Sequence, residues 1–236
     1  AHYSKFSLIQ LSNGGESYKN CLIYLTNGYQ FFYENKKVSL KTLLSLLISI
    51  HEKIFIERHN LQYEENMQMN EIKWRMSSRP IIESLLKFWE ALYIKNGGIL
   101  IPNETNIAVI NFNPSLRLII PLLSFAKIRK CLSLTPVMNR IWLKDWEGMN
   151  KALEESCHDW DSLREATDYA LNIVKFWVDT VSIINNAEKT SIRTPIFSIT
   201  CIFSSVLIIA EYLKRVEKWA KEFTDKQTAE ILKAVD

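Results

Sequence analysis

Cys157-His158-Asp159 sets a nucleophile, a base and an acid side by side, the three residue types of a hydrolytic relay. Neighbours in sequence leave a regular backbone in different directions, so these three cannot act on one another. The expected role is a loop leading to a helix cap at Asp161 or Ser162. His51-Glu52 and Glu57-Arg58-His59 raise the question of a metal. A zinc-binding helix needs histidines four residues apart, whereas these lie eight apart. That is about 12 Å along a helix, too far to share one ion. His51 falls on the apolar side of its segment, where a hydrogen-bonded buried histidine is expected and ligand contact is the alternative.

Other pairings carry less. Gly14-Gly15 and Gly97-Gly98 lack the surroundings of a phosphate-binding loop. Glu64-Glu65 and Glu154-Glu155 sit in polar runs and read as solvent-facing, and Asn103-Glu104-Thr105 is a sequon with no secretory signal beside it. Cys21, Cys131, Cys157 and Cys201 form no Cys-x-x-Cys and stand at long, uneven gaps, which suits buried free thiols in a reducing compartment rather than a disulfide or metal framework. No catalytic, cofactor-binding or metal-ligating residue is assigned, no cofactor is implied, and an enzyme is not expected.

The elements that would carry these residues are helical. Gly and Pro number only six each in 236 residues, which argues against both a β-sandwich and disorder. The net charge of +3 is too small for a nucleic-acid surface. Lys36-Lys37 with Lys41, and Lys127-Ile128-Arg129-Lys130, are the densest basic groups and read as solvated helix faces, with nuclear import as the other reading. Ala1 opens the chain without a signal peptide or an initiator methionine, and the chain reads as a fragment of something longer.

A short helix is expected around Ser17 to Thr26. Ser39 caps a strong one to about His59, with Leu40, Leu43, Leu44, Leu47, Ile54 and Phe55 on one face. Residues 62–78 read as a helix end plus a loop. Pro80 opens a helix lined by Ile81, Leu85, Trp89 and Leu92 and stopped at Gly97-Gly98. The 99–113 passage reads as an extended connector or short strand. Asn113-Pro114 starts a helix that Pro121 should kink or split, and Thr135-Pro136 starts another to Trp142, with a break near Gly148. From Asp161 or Ser162, an amphipathic helix places Leu163, Ala166, Ala170, Ile173, Trp177, Val181 and Ile184 on one face. Thr194-Pro195 opens the most apolar helix, and Thr224-x-x-Gln227 opens a short last one. The fold class is all-α: a large irregular bundle of eight or nine helices in a single domain, 1–236, with a possible subdivision near 100–112. The seven tryptophans read mainly as core.

Residues 195–210 hold 16 uncharged positions, fewer than the roughly 20 apolar residues of a bilayer span. No membrane is expected. The segment is instead predicted to be the central buried helix, with Phe197, Cys201, Val206 and Ile209 inside and 163–184 packed on it.

Two passages, "WLKDWEGMNKALEESCHDWDSLREATDYALNIVKFW" and "TPIFSITCIFSSVLIIAEYLKRVE", resemble the helical regulatory, or middle-homology, domain of fungal transcription factors. "SLKTLLSLLISIHEKIFIERH" fits its pattern more loosely, and the Asn/Lys/Ile-rich usage suits a budding yeast. The resemblance implies a regulatory domain in the nucleus, with the cytoplasm as the alternative. It would meet the transcription machinery or a regulatory protein, or a small apolar ligand, and reach DNA only through a zinc-cluster or zinc-finger module outside this segment. A helical carrier or enzyme with an aromatic-lined cavity, and a helical scaffold for assembly, remain the alternatives. Oligomeric state is left open.

Overall fold

The computed structural model describes residues 38–62, 67–100, 113–184 and 196–235, with Ile23 and Ile110 as isolated positions. The expected 17–26 helix, the sequon, Glu64-Glu65, Lys36-Lys37, Cys21 and most of the 99–113 connector lie outside them. The described residues hold no strand. Their helices are α1 (Leu40–Gln62), α2 (Met67–Lys73), a π turn (Trp74–Ser78), α3 (Arg79–Lys95), α4 (Pro114–Cys131), α5 (Thr135–Trp142), α6 (Trp146–Ser156), α7 (Trp160–Ile184) and α8 (Ile196–Val235). Because α2, the π turn and α3 run on without a break, the described residues form seven helical rods, against the eight or nine expected.

Local chemistry explains most boundaries. Ser39 Oγ accepts the Thr42 N–H at 3.1 Å, and Asn113 Oδ1 accepts from Ser115 N at 3.1 Å ahead of Pro114. Gly97 stops α3 in the left-handed region at φ 81°. Thr135-Pro136 does start a helix that ends at Trp142, with Leu134 in the cap position and no side-chain cap bond. Other expectations are corrected. Gly148 starts no break, since it sits in the first turn of α6 and gives its N–H to Asp145 Oδ1 at 2.8 Å. The cap of α7 is Asp159, not Asp161 or Ser162: its Oδ2 accepts the Ser162 N–H at 2.9 Å. Of the kink or split expected at Pro121, the split does not occur, since α4 runs through it. Thr224 begins no new helix, since its Oγ1 donates back to the Ala220 carbonyl within a continuous α8. Residues 67–78, expected in part as loop, are helical.

Two cores share α4. Leu116, Ile119, Leu122, Leu123 and Ala126 pack with α1, Trp74 and the inner face of α3. Phe125, Ile128 and Cys131 pack with α5, α6, α7 and α8. The α1 face is right except for exposed Phe55, with Leu46 and Ile50 added to it. In α3 the buried face is Ile82, Leu85, Leu86, Trp89, Leu92 and Tyr93, leaving Ile81 outside. In α7, Leu163, Ala166, Ala170 and Ile173 are buried as expected, but Phe176 goes inward and Trp177 is exposed.

The expectation of a central buried helix is overturned. α8 does pack on α7 and α4, yet among the described residues only one side of it is covered. Cys201 is buried, Phe197 and Ile209 are half-buried, and Val206 is 51% exposed. By length and composition alone, Phe197–Gln227 would suffice to cross a membrane.

Candidate functional site

The sequence-selected residues fall in three places. In the first tripeptide, Cys157 is wholly buried and burial, with Glu211 nearby, pushes its thiol up to about 12. His158 is exposed and its Nδ1 donates to the Glu155 carbonyl at 3.0 Å, while Asp159 caps α7 and pairs with Arg75 at 3.1 Å. The three diverge, so no relay exists. Among the described residues no group of three or more His, Cys, Asp or Glu side chains could hold a metal ion.

His51 lies between α1, α4 and α8, 8% exposed. Its Nε2 bonds the Leu122 carbonyl at 3.0 Å and its Nδ1 meets Arg129 Nη1 at 3.0 Å. A carbonyl and a guanidinium can only accept and donate respectively, so the ring is neutral with its proton on Nε2. Phe125 stacks on it and Phe197 meets it edge-on, both at 6.1 Å. Burial, then the Arg129 charge, lower its pKa to about 4 against a smaller opposing effect of the Leu122 carbonyl. Both ring nitrogens are used inside the core, which makes His51 a structural residue. His59 is exposed and stacks on Phe55.

The basic group on α4 turns inward. Lys127 pairs with Glu90, Arg129 holds His51, and Lys130, 5% exposed, reaches Glu165 at 2.6 Å. Neither a solvated face nor an import signal describes it. These cations belong to a cluster built around the π turn, which the sequence reading missed. The π turn buries Trp74 and Ser78 and places Arg75 and Arg79 one turn apart toward α7. Arg79 Nη2 meets Glu165 at 2.7 Å, and Ser78 Oγ donates to Glu57 at 2.9 Å. Arg58 lies 3.9 Å over the Trp74 ring, and both residues donate to the Lys130 carbonyl at the open end of α4. Burial lowers the Arg58 pKa to about 10, with Glu71 opposing. Burial raises the Glu165 pKa, but the Lys130 bond and the Lys130 and Arg79 charges outweigh it and leave the carboxyl below its usual range. Cys131 beside it is pushed up to about 12 by burial and by Glu165. A protonated thiol among fully paired charges is no nucleophile. The cluster clamps helices together. Its signal in the sequence was the four-residue spacing of Glu71, Arg75 and Arg79 around Trp74.

Some of what faces solvent is apolar. The turn from α5 to α6 displays Trp142 at 82% exposure, with exposed Leu143 and Trp146, so these tryptophans are not core. The turn is held by Asp145, which caps α6 and accepts from Arg140 at 2.9 Å, and Lys144 takes φ 55°. Rigid exposed tryptophans are the residue type that anchors protein interfaces.

Two yeast proteins are similar to this chain along nearly its whole length. The chain is 54% identical over 226 residues to "Respiration factor 2" of Saccharomyces cerevisiae, covering 93% of this chain. It is 52% identical over 235 residues, or 99% of this chain, to "Probable transcription factor TDA9" of the same species. The chain spans 16% and 18% of those relatives, under a fifth of either. No family model matches the chain, and no solved structure matches it.

Proposed function

We propose that this chain is a regulatory, protein-binding segment of a fungal transcription factor, of the helical middle-homology type, acting in the nucleus. The observation that carries the reading is identity above one half, along nearly the whole chain, to a protein named as a probable transcription factor. DNA reading belongs to a module outside the segment, since the basic residues on α4 are engaged in internal pairs. Contact with the transcription machinery or a regulatory protein runs through the Trp142-Leu143-Trp146 corner, an apolar feature that the fold leaves open. No catalytic step is part of the reading.

The test is a reporter assay with the 236-residue chain fused to an unrelated DNA-binding domain. The chain should change reporter output, and Trp142→Ala with Trp146→Ala should abolish the change while helicity by circular dichroism is retained. A reporter indifferent to the chain, or a purified chain that binds duplex DNA on its own, would sink the reading.

A further inference from the structure

α8 buries Cys201, Ser204, Ser205, Ile208 and Glu211, a side made of small and polar residues for the most part. Of its other large apolar residues, Phe197, Ile202, Leu207, Ile209 and Tyr212 pack in part on the bundle, and others turn away from it. Ile199 is 54% exposed, Leu213 is 59% exposed and Phe223 is 50% exposed, while Ile202, Ile209 and Val216 are half-buried. With Val206 and Ala220 these residues run 199, 202, 206, 209, 213, 216, 220, 223 in unbroken steps of three and four. That is heptad spacing, which lays one helix along another in a coiled coil. The stripe also persists from 213 to 223, where six of the seven other positions, Lys214, Arg215, Glu217, Lys218, Lys221 and Glu222, are charged and only Trp219 is apolar. A bilayer would require apolar residues on every side there, whereas a partner helix requires one stripe.

We propose that this chain forms a homodimer through α8, the 199–223 stripe of one copy packing on the same stripe of a second. Area and charge favour a second copy. The exposed parts of Ile199, Val206, Leu213 and Phe223, with flanking Phe203 and Trp219, amount to roughly 600 Å² per copy, so two copies reach the lower end of standard-size interfaces. Over 211–227 five cationic residues face four anionic ones, and Arg215–Glu211 and Lys221–Glu217 pair within the helix at 2.8 Å. The stripe therefore presents no single-sign field that would select an opposite partner or repel a copy. A two-fold axis near position 211 sets Ile199 opposite Phe223, Ile202 opposite Ala220, Val206 opposite Val216 and Ile209 opposite Leu213. Every layer is then apolar and the contact closes on itself. The dimer does not depend on the transcriptional reading.

Sedimentation velocity on the 236-residue chain from about 1 to 100 µM tests it. The expected result is a monomer–dimer equilibrium with a dissociation constant in the micromolar range. Val206→Glu with Leu213→Glu, both at exposed sites, should weaken it about tenfold or more without loss of helicity. Ile48→Glu, an exposed apolar site on α1, should leave it unchanged. A chain monomeric throughout, or a dimer indifferent to the two glutamates, overturns the proposal. So does a chain that stays monomeric in buffer yet floats with phosphatidylcholine vesicles in a Val206- and Leu213-dependent way, which would make the stripe a lipid surface.

Discussion

Mild acid should loosen this protein through one side chain, His51. Folded, its ring is neutral with a pKa of about 4, because burial and the Arg129 charge both penalise the cation. Unfolded, it returns to 6.5. Between those values the unfolded chain takes up a proton that the folded chain refuses, so falling pH draws molecules toward the unfolded state. The stabilisation is complete above pH 6.5 and lost as pH falls toward 4. It amounts to about 3 kcal/mol in all, of which about 2 kcal/mol is gone by pH 5. The control is His51→Gln, whose amide can donate to the Leu122 carbonyl and accept from Arg129 without titrating. At pH 7.5 the variant should be less stable by about 1 kcal/mol, having lost ring contacts with Phe125 and Phe197. Urea unfolding followed by circular dichroism at a series of pH values should show that gap closing and then reversing near pH 6, with the variant ahead by about 1 kcal/mol at pH 5. A gap between wild type and variant that stays constant from pH 7.5 to pH 5 would refute the reasoning. So would an NMR titration of the folded chain in which the His51 ring protonates near its ordinary value.

Three further outcomes follow from the packing. Glu165→Gln leaves Lys130 nearly buried without its counter-charge and should cost about 3 kcal/mol in chemical denaturation, while Glu165→Leu with Lys130→Met should recover most of that. A Cβ at Gly148 would lie 2.1 Å from Asp145 Oδ2, so Gly148→Ala should destabilise the wild type by displacing the α6 cap yet stabilise Asp145→Ala by about 0.5 to 1 kcal/mol; equal effects in both backgrounds would be contrary. Burial raises the thiol pKa of Cys131, Cys157 and Cys201, so iodoacetamide at pH 8 should modify these three rapidly only in denaturant, read by mass spectrometry; fast labelling of any of them in the native chain would show an opening that the packing does not contain.

What the sequence makes legible divides along a physical line. Ser39, Asn113 and Gly97 act within one turn of themselves, and their caps and stop stand where residue type and spacing put them. Asp159 is one of several neighbouring polar residues that could cap α7 by type and spacing, and its pairing with Arg75 comes from a distant segment. The inward pairing of Lys127 and Lys130 is equally long-range. A basic run looks solvated until Glu90 and Glu165 arrive from other helices. The π turn is the extreme case: one inserted residue re-aims Trp74 and Arg79, and no period of three or four residues announces it.

α8 fails in a more instructive way. Hydropathy reports that a segment avoids water, and an all-round apolar helix reads as the middle of a bundle. Avoidance of water does not say whose surface replaces it. Here the chain's own helices cover the small and polar side, Cys201, Ser204 and Ser205, where α7 and α4 pack against it. Bulkier Ile199, Val206 and Leu213 are left outside on the repeat of 3.5 that a second helix would read. The distinction lay in the sequence as periodicity rather than as composition. It becomes visible only when the side facing the bundle is known and subtracted, because the inward residues 201, 204, 208 and 211 run on a repeat of nearly the same length. Two interleaved stripes sum to a helix that looks uniformly apolar, and separating them turns a supposed core element into a surface with one face still to be covered.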